Sequence, residues 1–137
     1  KNRMIVPSRL RSELGRSCVL TKGLDKCLYI YTVEKWARQM DKIEKLPESD
    51  PKVRAFIRHF CANAVECEFD KQGRIVVPQI LKDRAKIEKE LVTIGAKDRI
   101  VVIQDGRITW ICMREMLHIL QDVLHGIEVS LVEIAYA

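Results

Sequence analysis

The chain has 137 residues and a formal net charge of +5, with 47% hydrophobic and 31% charged residues. This balance is typical of one globular domain and excludes a disordered or collagen-like chain. The longest aliphatic run, residues 100–103, is far shorter than the ~20 residues of a membrane helix. Five cysteines without a CxxC pair indicate reduced thiols, and therefore a cytoplasmic protein.

The positive charge is concentrated in two stretches of the chain. Residues 1–26 carry seven lysines and arginines against two acidic residues, and residues 70–107 carry nine against six. Residues 108–137 reverse the sign, with one arginine against four acidic residues. Local basic patches favour a polyanionic partner such as nucleic acid or an anionic membrane. On charge alone, an ordinary solvated surface remains the better explanation.

A repeated unit divides the chain into two similar halves. Residues 1–7 (KNRMIVP) align with residues 72–78 (QGRIVVP) at an offset of 71. Downstream, LTKG at 20–23 aligns with VTIG at 92–95 at an offset of 72, and an apolar strand pattern follows each glycine. One unit of about 30 residues is therefore present twice. Because the chain starts at Lys1 rather than methionine, we expect the first copy to lack its entering strand.

Each unit is predicted to run strand, turn, strand, short helix, strand, glycine turn, strand. In the second copy Val65, Cys67 and Phe69 alternate with glutamates, the period of a half-buried strand. Residues 70–73 (DKQG) are typical of a turn. Residues 64–77 are therefore predicted to form a hairpin-like element.

The first copy follows the same pattern with one change. Asn2 stands where the second copy has Gly73, and asparagine is the next best residue for a left-handed turn position. Pro7 and Pro78 end the strands and suit the first turn of the short helices. Gly15 is predicted to end the first of these helices. The apolar positions expected to face the core are Leu10, Leu14, Leu81 and Ala85.

Two longer helices are predicted between the copies, followed by a different C-terminal segment. Thr32 is a candidate N-cap for the first helix, and Asp50 with Pro51 starts the second. After the second copy, residues 104–107 (QDGR) favour a hairpin turn. A helix is predicted to end at Gly126, and the pattern that follows is ambiguous between strand and helix.

The turns at the start of each copy carry the strongest functional signal. Lys71 and Arg74 flank Gly73, as Lys1 and Arg3 flank an asparagine. Backbone N–H groups beside long cationic side chains can meet phosphate oxygens, and arginine can also bind guanine O6 and N7. Alternatively, such an arginine forms a salt bridge to the aspartate of its turn, and spacing leaves both interpretations open. The duplication favours DNA, because two similar basic turns suit a duplex.

Catalysis and metal binding are poorly supported. No glycine-rich phosphate-binding motif is present. His118 and His125 lie seven residues apart but lack further ligands for a zinc site. His59 and Cys61 are better explained by packing on one helix than by nucleophilic chemistry. We therefore predict no enzyme, no metal, no cofactor and no small-molecule substrate.

The repeat resembles a known bacterial family. Residues 70–78 (DKQGRIVVP) resemble the D-x-x-G-R-x-x-x-P signature of MraZ proteins, which belong to the AbrB-like superfamily. Residues 1–7 look like the same signature without its aspartate, and residues 20–36 and 54–58 are also similar. The likeness covers about residues 1–103 and does not extend well into the tail.

The resemblance implies a mainly-β α+β fold. In that family two AbrB-like halves form one swapped-hairpin-type β-barrel with flanking helices. Applied to this chain, the first half spans residues 1–36 and a helical spacer spans residues 37–63. The second half spans residues 64–107, and residues 108–137 form a divergent C-terminal tail.

The resemblance also implies a function. It points to a transcriptional regulator that binds repeated boxes upstream of the division and cell-wall gene cluster as a ring-shaped homo-oligomer. The signature arginines, here Arg3 and Arg74, are expected to contact double-stranded DNA, and charge and position add Lys1 and Lys71. Such a protein is cytoplasmic and nucleoid-associated and needs neither cofactor nor membrane. The alternatives are an AbrB-like antitoxin that binds DNA and a toxin, or a structural oligomer that binds no DNA.

Overall fold

A computed structural model describes residues 2–24, 26–95, 99–104 and 129–135. Within this part of the chain the backbone forms eight strands and four helices. The strands are β1 (Arg3–Ile5), β2 (Ser17–Lys22), β3 (Cys27–Thr32), β4 (Val65–Glu68), β5 (Arg74–Val76), β6 (Glu90–Gly95), β7 (Ile100–Gln104) and β8 (Val129–Ala135). The helices are α1 (Ser8–Leu14), α2 (Val33–Glu44), α3 (Pro51–Cys61) and α4 (Gln79–Arg84).

The strands form one antiparallel sheet in the order β4-β2-β3-β7-β6-β8-β1-β5. The predicted mainly-β α+β class is therefore confirmed. The helix positions predicted to face the core are all buried, at Leu10, Leu14, Leu81 and Ala85. They join one apolar core with the inner face of the sheet.

An internal two-fold axis relates the two copies. Strand β1 pairs antiparallel with its own counterpart β5, with Met4 opposite Ile75, which are 71 residues apart. Strand β3 pairs in the same way with its counterpart β7, with Tyr29 opposite Val101, which are 72 apart. When two equivalent segments pair antiparallel and the central residue of one lies opposite its own equivalent in the other, the pair has the symmetry of a two-fold contact.

The equivalence of the copies extends to unusual backbone angles. Asn2 has a φ of 58° and Gly73 has a φ of 74°, so the left-handed conformation predicted for Asn2 is confirmed. Gly15, which follows α1 as predicted, has a φ of 79°. Its counterpart after α4 is Lys86, with a φ of 55°. A lysine in this region is strained by about 1–2 kcal/mol, and no local sequence signal predicts it.

The hairpin-like element predicted for residues 64–77 consists of two strands joined by a turn, but the two strands do not pair with each other. The Asp70 N–H donates to the Arg74 carbonyl at 2.9 Å and closes the turn. The two arms then separate, because β4 pairs with β2 and β5 pairs with β1, both strands of the first copy. The arms therefore stand at opposite ends of the strand order, and the described strands form an open sheet rather than the expected closed barrel.

The helix starts agree closely with the sequence. The Lys35 N–H donates to the Thr32 hydroxyl at 3.0 Å, and the Lys52 N–H donates to the Asp50 carboxylate at 2.8 Å, so both predicted caps are confirmed. Pro7 and Pro78 lie immediately before α1 and α4, at the cap rather than in the first turn. Helices α2 and α3 pack against β3 in a second apolar cluster. Its aromatic members are Tyr29 and Tyr31 of β3, Trp36 of α2, and Phe56 and Phe60 of α3.

The last described segment joins the sheet. Strand β8 lies between β6 and β1, with Leu91 opposite Val132 and Met4 opposite Ile134. The ambiguous pattern after Gly126 is therefore a strand over its central part. Of the turn predicted at 104–107 only Gln104, the last residue of β7, is described, and the helix predicted to end at Gly126 lies outside the described residues. None of the described helices combines the length and apolar character needed to cross a membrane.

Candidate nucleic-acid interface

The ribbon formed by β1 and β5, at one end of the strand order, has an inner and an outer face. Met4 and Ile75 point inward and are 0% and 1% exposed. Because side chains alternate along a strand, the residues on either side of them point outward. The outer face of the ribbon therefore consists of Arg3, Ile5, Arg74 and Val76. The structure thus places Arg3 and Arg74, the two principal candidates, on one surface.

The register gives this outer face a symmetric pattern. Arg3 lies opposite Val76, and Arg74 lies opposite Ile5. Residues directly opposite in an antiparallel pair have Cβ atoms about 4.5–5.5 Å apart. Each arginine is therefore the neighbour of an aliphatic side chain on the facing strand, and the internal two-fold axis exchanges the two pairs.

A salt bridge orients one of the arginines. The Arg74 Nε donates to Asp70 Oδ2 at 2.8 Å, while Asp70 Oδ1 accepts from the backbone N–H groups of Arg74 and Gln72 at 2.9 and 2.8 Å. These bonds, the Arg74 backbone bond above all, hold the pKa of the Asp70 carboxyl below its usual value. The alternative interpretation of Arg74 as a salt-bridge residue is thus confirmed.

The salt bridge does not use the whole guanidinium group. It occupies Nε, and among the described residues no hydrogen-bond partner is found for either Nη of Arg74. The side chain keeps 19% of its surface exposed on the outer face. The bridge is therefore compatible with a contact to an external acceptor, and it fixes the plane of the fork in advance.

Crossed backbone bonds connect the two turns that flank the ribbon. The Val6 N–H donates to the Gly73 carbonyl at 3.2 Å, and the Val77 N–H donates to the Asn2 carbonyl at 2.7 Å. Val6 and Val77 are 71 residues apart, as are Asn2 and Gly73. The bonds are thus equivalent under the two-fold axis, and each left-handed residue is fastened to the other copy.

Two cationic side chains also contact these turns, and each reaches the left-handed residue of the other copy. The Arg11 Nη1 donates to the Val6 carbonyl at 3.2 Å and lies against Gly73, where a Cβ atom would come within 1.7 Å of it. The Lys82 Nζ donates to Asn2 Oδ1 at 3.2 Å. Sequence reasoning missed both roles, although their offset of 71 residues is a signal that could have found them.

The remaining candidates are less well placed. Lys71 is exposed in the turn beside Arg74, whereas Lys1 lies outside the described residues. His59 Nε2 is 3.2 Å from the Gly23 carbonyl, next to the aromatic cluster. In the described ranges no three His, Cys, Asp or Glu side chains converge on a common point. His118 and His125 lie outside those ranges.

The chain is thus a two-copy, mainly-β protein whose β1–β5 ribbon presents a pair of arginines around an internal two-fold axis. The sequence model of the family described as "MraZ protein, putative antitoxin-like" matches residues 1–59 and again residues 60–108. The chain therefore belongs to the MraZ family, and each copy of the repeat corresponds to one match.

Curated relatives agree with this assignment. The chain is 48% identical over 102 residues to the transcriptional regulator MraZ of Caldanaerobacter subterraneus subsp. tengcongensis, covering 74% of this chain and 71% of the relative. It is 50% identical over 102 residues to the protein of the same name from Clostridium tetani, covering 74% and 72%. It is 43% identical over 107 residues to that of Moorella thermoacetica, covering 78% and 75%.

Proposed function

We propose that this chain is a sequence-specific DNA-binding transcriptional regulator that contacts DNA through the outer face of the ribbon. The observation that carries the proposal is the placement of Arg3 and Arg74 on that face, related by the internal two-fold axis. The names of the curated relatives, transcriptional regulators, support the same class of function.

The ribbon suits the major groove for geometric and chemical reasons. A two-stranded β-ribbon fits that groove, where guanine presents O6 and N7 to the planar fork of an arginine. Because Asp70 already orients Arg74, less side-chain entropy is lost when the fork binds a base. In this scheme Arg3 and Arg74 read bases, whereas Lys71 and Lys1 neutralise phosphates.

The proposal includes the regulatory setting implied by the family. The targets are repeated boxes upstream of the division and cell-wall gene cluster, and the protein binds them as a ring-shaped homo-oligomer. Linked copies of one weak site gain affinity through effective concentration, so a ring suits a repeated target. The active halves are residues 1–36 and 64–107, with 37–63 as the spacer and 108–137 as the tail. The regulator is non-enzymatic, works without a cofactor, and acts in the cytoplasm at the nucleoid.

The test is a binding titration on two duplexes. Fluorescence anisotropy measures affinity for the DNA upstream of the chain's own gene and for a scrambled duplex of equal composition, at several salt concentrations. Arg74→Ala should cost about 1–3 kcal/mol more on the upstream duplex than on the scrambled one, because a base contact is lost as well as a charge. Lys71→Ala should weaken both duplexes equally and reduce the salt slope by about 1. Lys52→Ala on α3 is the matched control and should change neither.

Each alternative has its own outcome. Equal affinity for the two duplexes would remove the claim of sequence specificity. Binding to neither duplex would refute the function and favour a structural oligomer. Unchanged binding by Arg74→Ala would refute the assignment of that residue while leaving the function in place.

A further inference from the structure

The outer face of the ribbon carries two apolar side chains that charge neutralisation does not explain. Ile5 is 42% exposed and Val76 is 55% exposed, although both lie in strands whose other apolar residues, Met4 and Ile75, are fully buried. Aliphatic groups gain nothing from approaching a phosphate, and leaving them in water forfeits the gain of burial. Their place on the basic face suits a partner that offers an apolar surface beside its negative charge.

The spacing of this face matches the spacing of base pairs. Arg3 and Val76 face each other across the strands, as do Arg74 and Ile5, with Cβ atoms about 4.5–5.5 Å apart. Along each strand the outward residues are about 6.7 Å apart, which is two steps of about 3.4 Å along B-DNA. Each cross-strand pair therefore spans between one and two base-pair steps, so an arginine and the aliphatic side chain opposite it can reach neighbouring base pairs when the ribbon lies in the major groove.

The chemistry of the groove identifies the apolar partner. Of the groups that base pairs present in the major groove, the acceptors of guanine suit arginine, and the thymine C5-methyl is the apolar group that suits an aliphatic side chain. Two arginines on the same face favour DNA over an uncharged protein surface, because the ligand must supply negative charge beside its apolar groups.

We propose that Ile5 and Val76 contact thymine methyl groups in base pairs adjoining those read by Arg74 and Arg3. The inference rests on the proposed function and makes it more specific. It assigns part of the sequence preference to apolar contacts, and it predicts targets in which thymine adjoins guanine.

The test compares two forms of the upstream duplex that differ only in methyl groups. In one form every thymine is replaced by uracil, which removes the C5-methyl and leaves base pairing intact. Burial of one methyl is worth about fourfold in Kd, so the wild-type chain should prefer the thymine form by about 4-fold for one contact and about 14-fold for two. In the variant Ile5→Ala/Val76→Ala this ratio should fall to about 1.

Controls separate the contact from indirect effects. Val33→Ala removes an aliphatic side chain of similar exposure at the start of α2 and should keep the wild-type ratio. Circular dichroism should show that the double variant is folded, because both side chains are exposed. A ratio of 1 in the wild type would overturn the inference. A wild-type ratio retained by the double variant would also overturn it, since the methyl groups would then act through DNA shape. Failure to prefer the upstream duplex over the scrambled one would instead refute the proposed function, and this inference with it.

Discussion

Replacing Gly73 with alanine tests whether the turn depends on a left-handed residue at this position and on the Arg11 side chain packed against it. Gly73 has a φ of 74°, so an alanine there is strained by about 1–2 kcal/mol. Its Cβ would also lie 1.7 Å from Arg11 Nη1 and 2.5 Å from Cζ, which forces the guanidinium group away. The displaced group loses its bond to the Val6 carbonyl, and a bond from a charged donor is worth about 1.5–3 kcal/mol. The total expected loss in the free energy of unfolding is about 2.5–5 kcal/mol.

A double-mutant cycle separates the two contributions. Urea unfolding measures the free energy of unfolding of the wild type, Gly73→Ala, Arg11→Ala and the double variant. In the Arg11→Ala background the alanine at 73 should cost only its backbone strain, so the coupling energy should be about 1.5–3 kcal/mol. Additive losses would refute the packing of Arg11 on the turn. A loss below about 0.5 kcal/mol for Gly73→Ala would refute the left-handed turn itself.

Further predictions follow from the same contacts. Asp70→Asn should weaken binding to the upstream duplex because Arg74 loses its orientation; tighter binding would mean that removal of a negative charge is all that matters. The lowered pKa of Asp70 stabilises the folded chain above the unfolded pKa of 3.8, and this contribution is lost as the pH falls below that value. In urea titrations the free energy of unfolding of Asp70→Asn should therefore decrease less steeply at acid pH than that of the wild type. Burial raises the pKa of Cys18 to about 12 and that of Cys67 to about 11. Mass spectrometry should therefore find both thiols resistant to alkylation at pH 8 until urea unfolds the chain, and rapid labelling of the folded chain would contradict this. Lys86→Gly should raise the free energy of unfolding by about 1 kcal/mol, because glycine relieves the strain at a φ of 55°; a loss of stability would show that the lysine side chain matters more.

Local features of the fold could be predicted because they depend on neighbouring residues. The caps at Thr32 and Asp50 follow from side chains that bond to backbone two or three residues away. The left-handed turn at Asn2 follows from its alignment with Gly73. The repeat itself is visible as an offset of 71–72 residues.

The partners of the strands could not be predicted from the same patterns. Strand periodicity shows that residues 65–68 and 74–76 are strands, but the two arms bond to different strands of the first copy. That choice depends on contacts about 50–70 residues apart in sequence, which local patterns do not contain. For the same reason the place of β8 between β6 and β1 was not predicted.

The candidate site was predicted in part. Arg3 and Arg74 are identified by their shared spacing, and the register then explains why they occupy one surface. Asp70 was predicted only as an alternative partner, whereas the structure shows it supporting Arg74. The roles of Ile5 and Val76 depend on which face of the ribbon is buried, and three-residue strands are too short for a pattern to decide this.

A charge-conserving substitution separates base reading by the forks of Arg3 and Arg74 from the effect of their positive charges. The variant Arg3→Lys/Arg74→Lys keeps both positive charges but removes the planar fork that binds guanine bidentately. Anisotropy titrations of this variant should give nearly wild-type affinity for the scrambled duplex and a large loss of preference for the upstream duplex. If the lysine variant kept the wild-type preference for the upstream duplex over the scrambled one, the forks of Arg3 and Arg74 would not be reading bases.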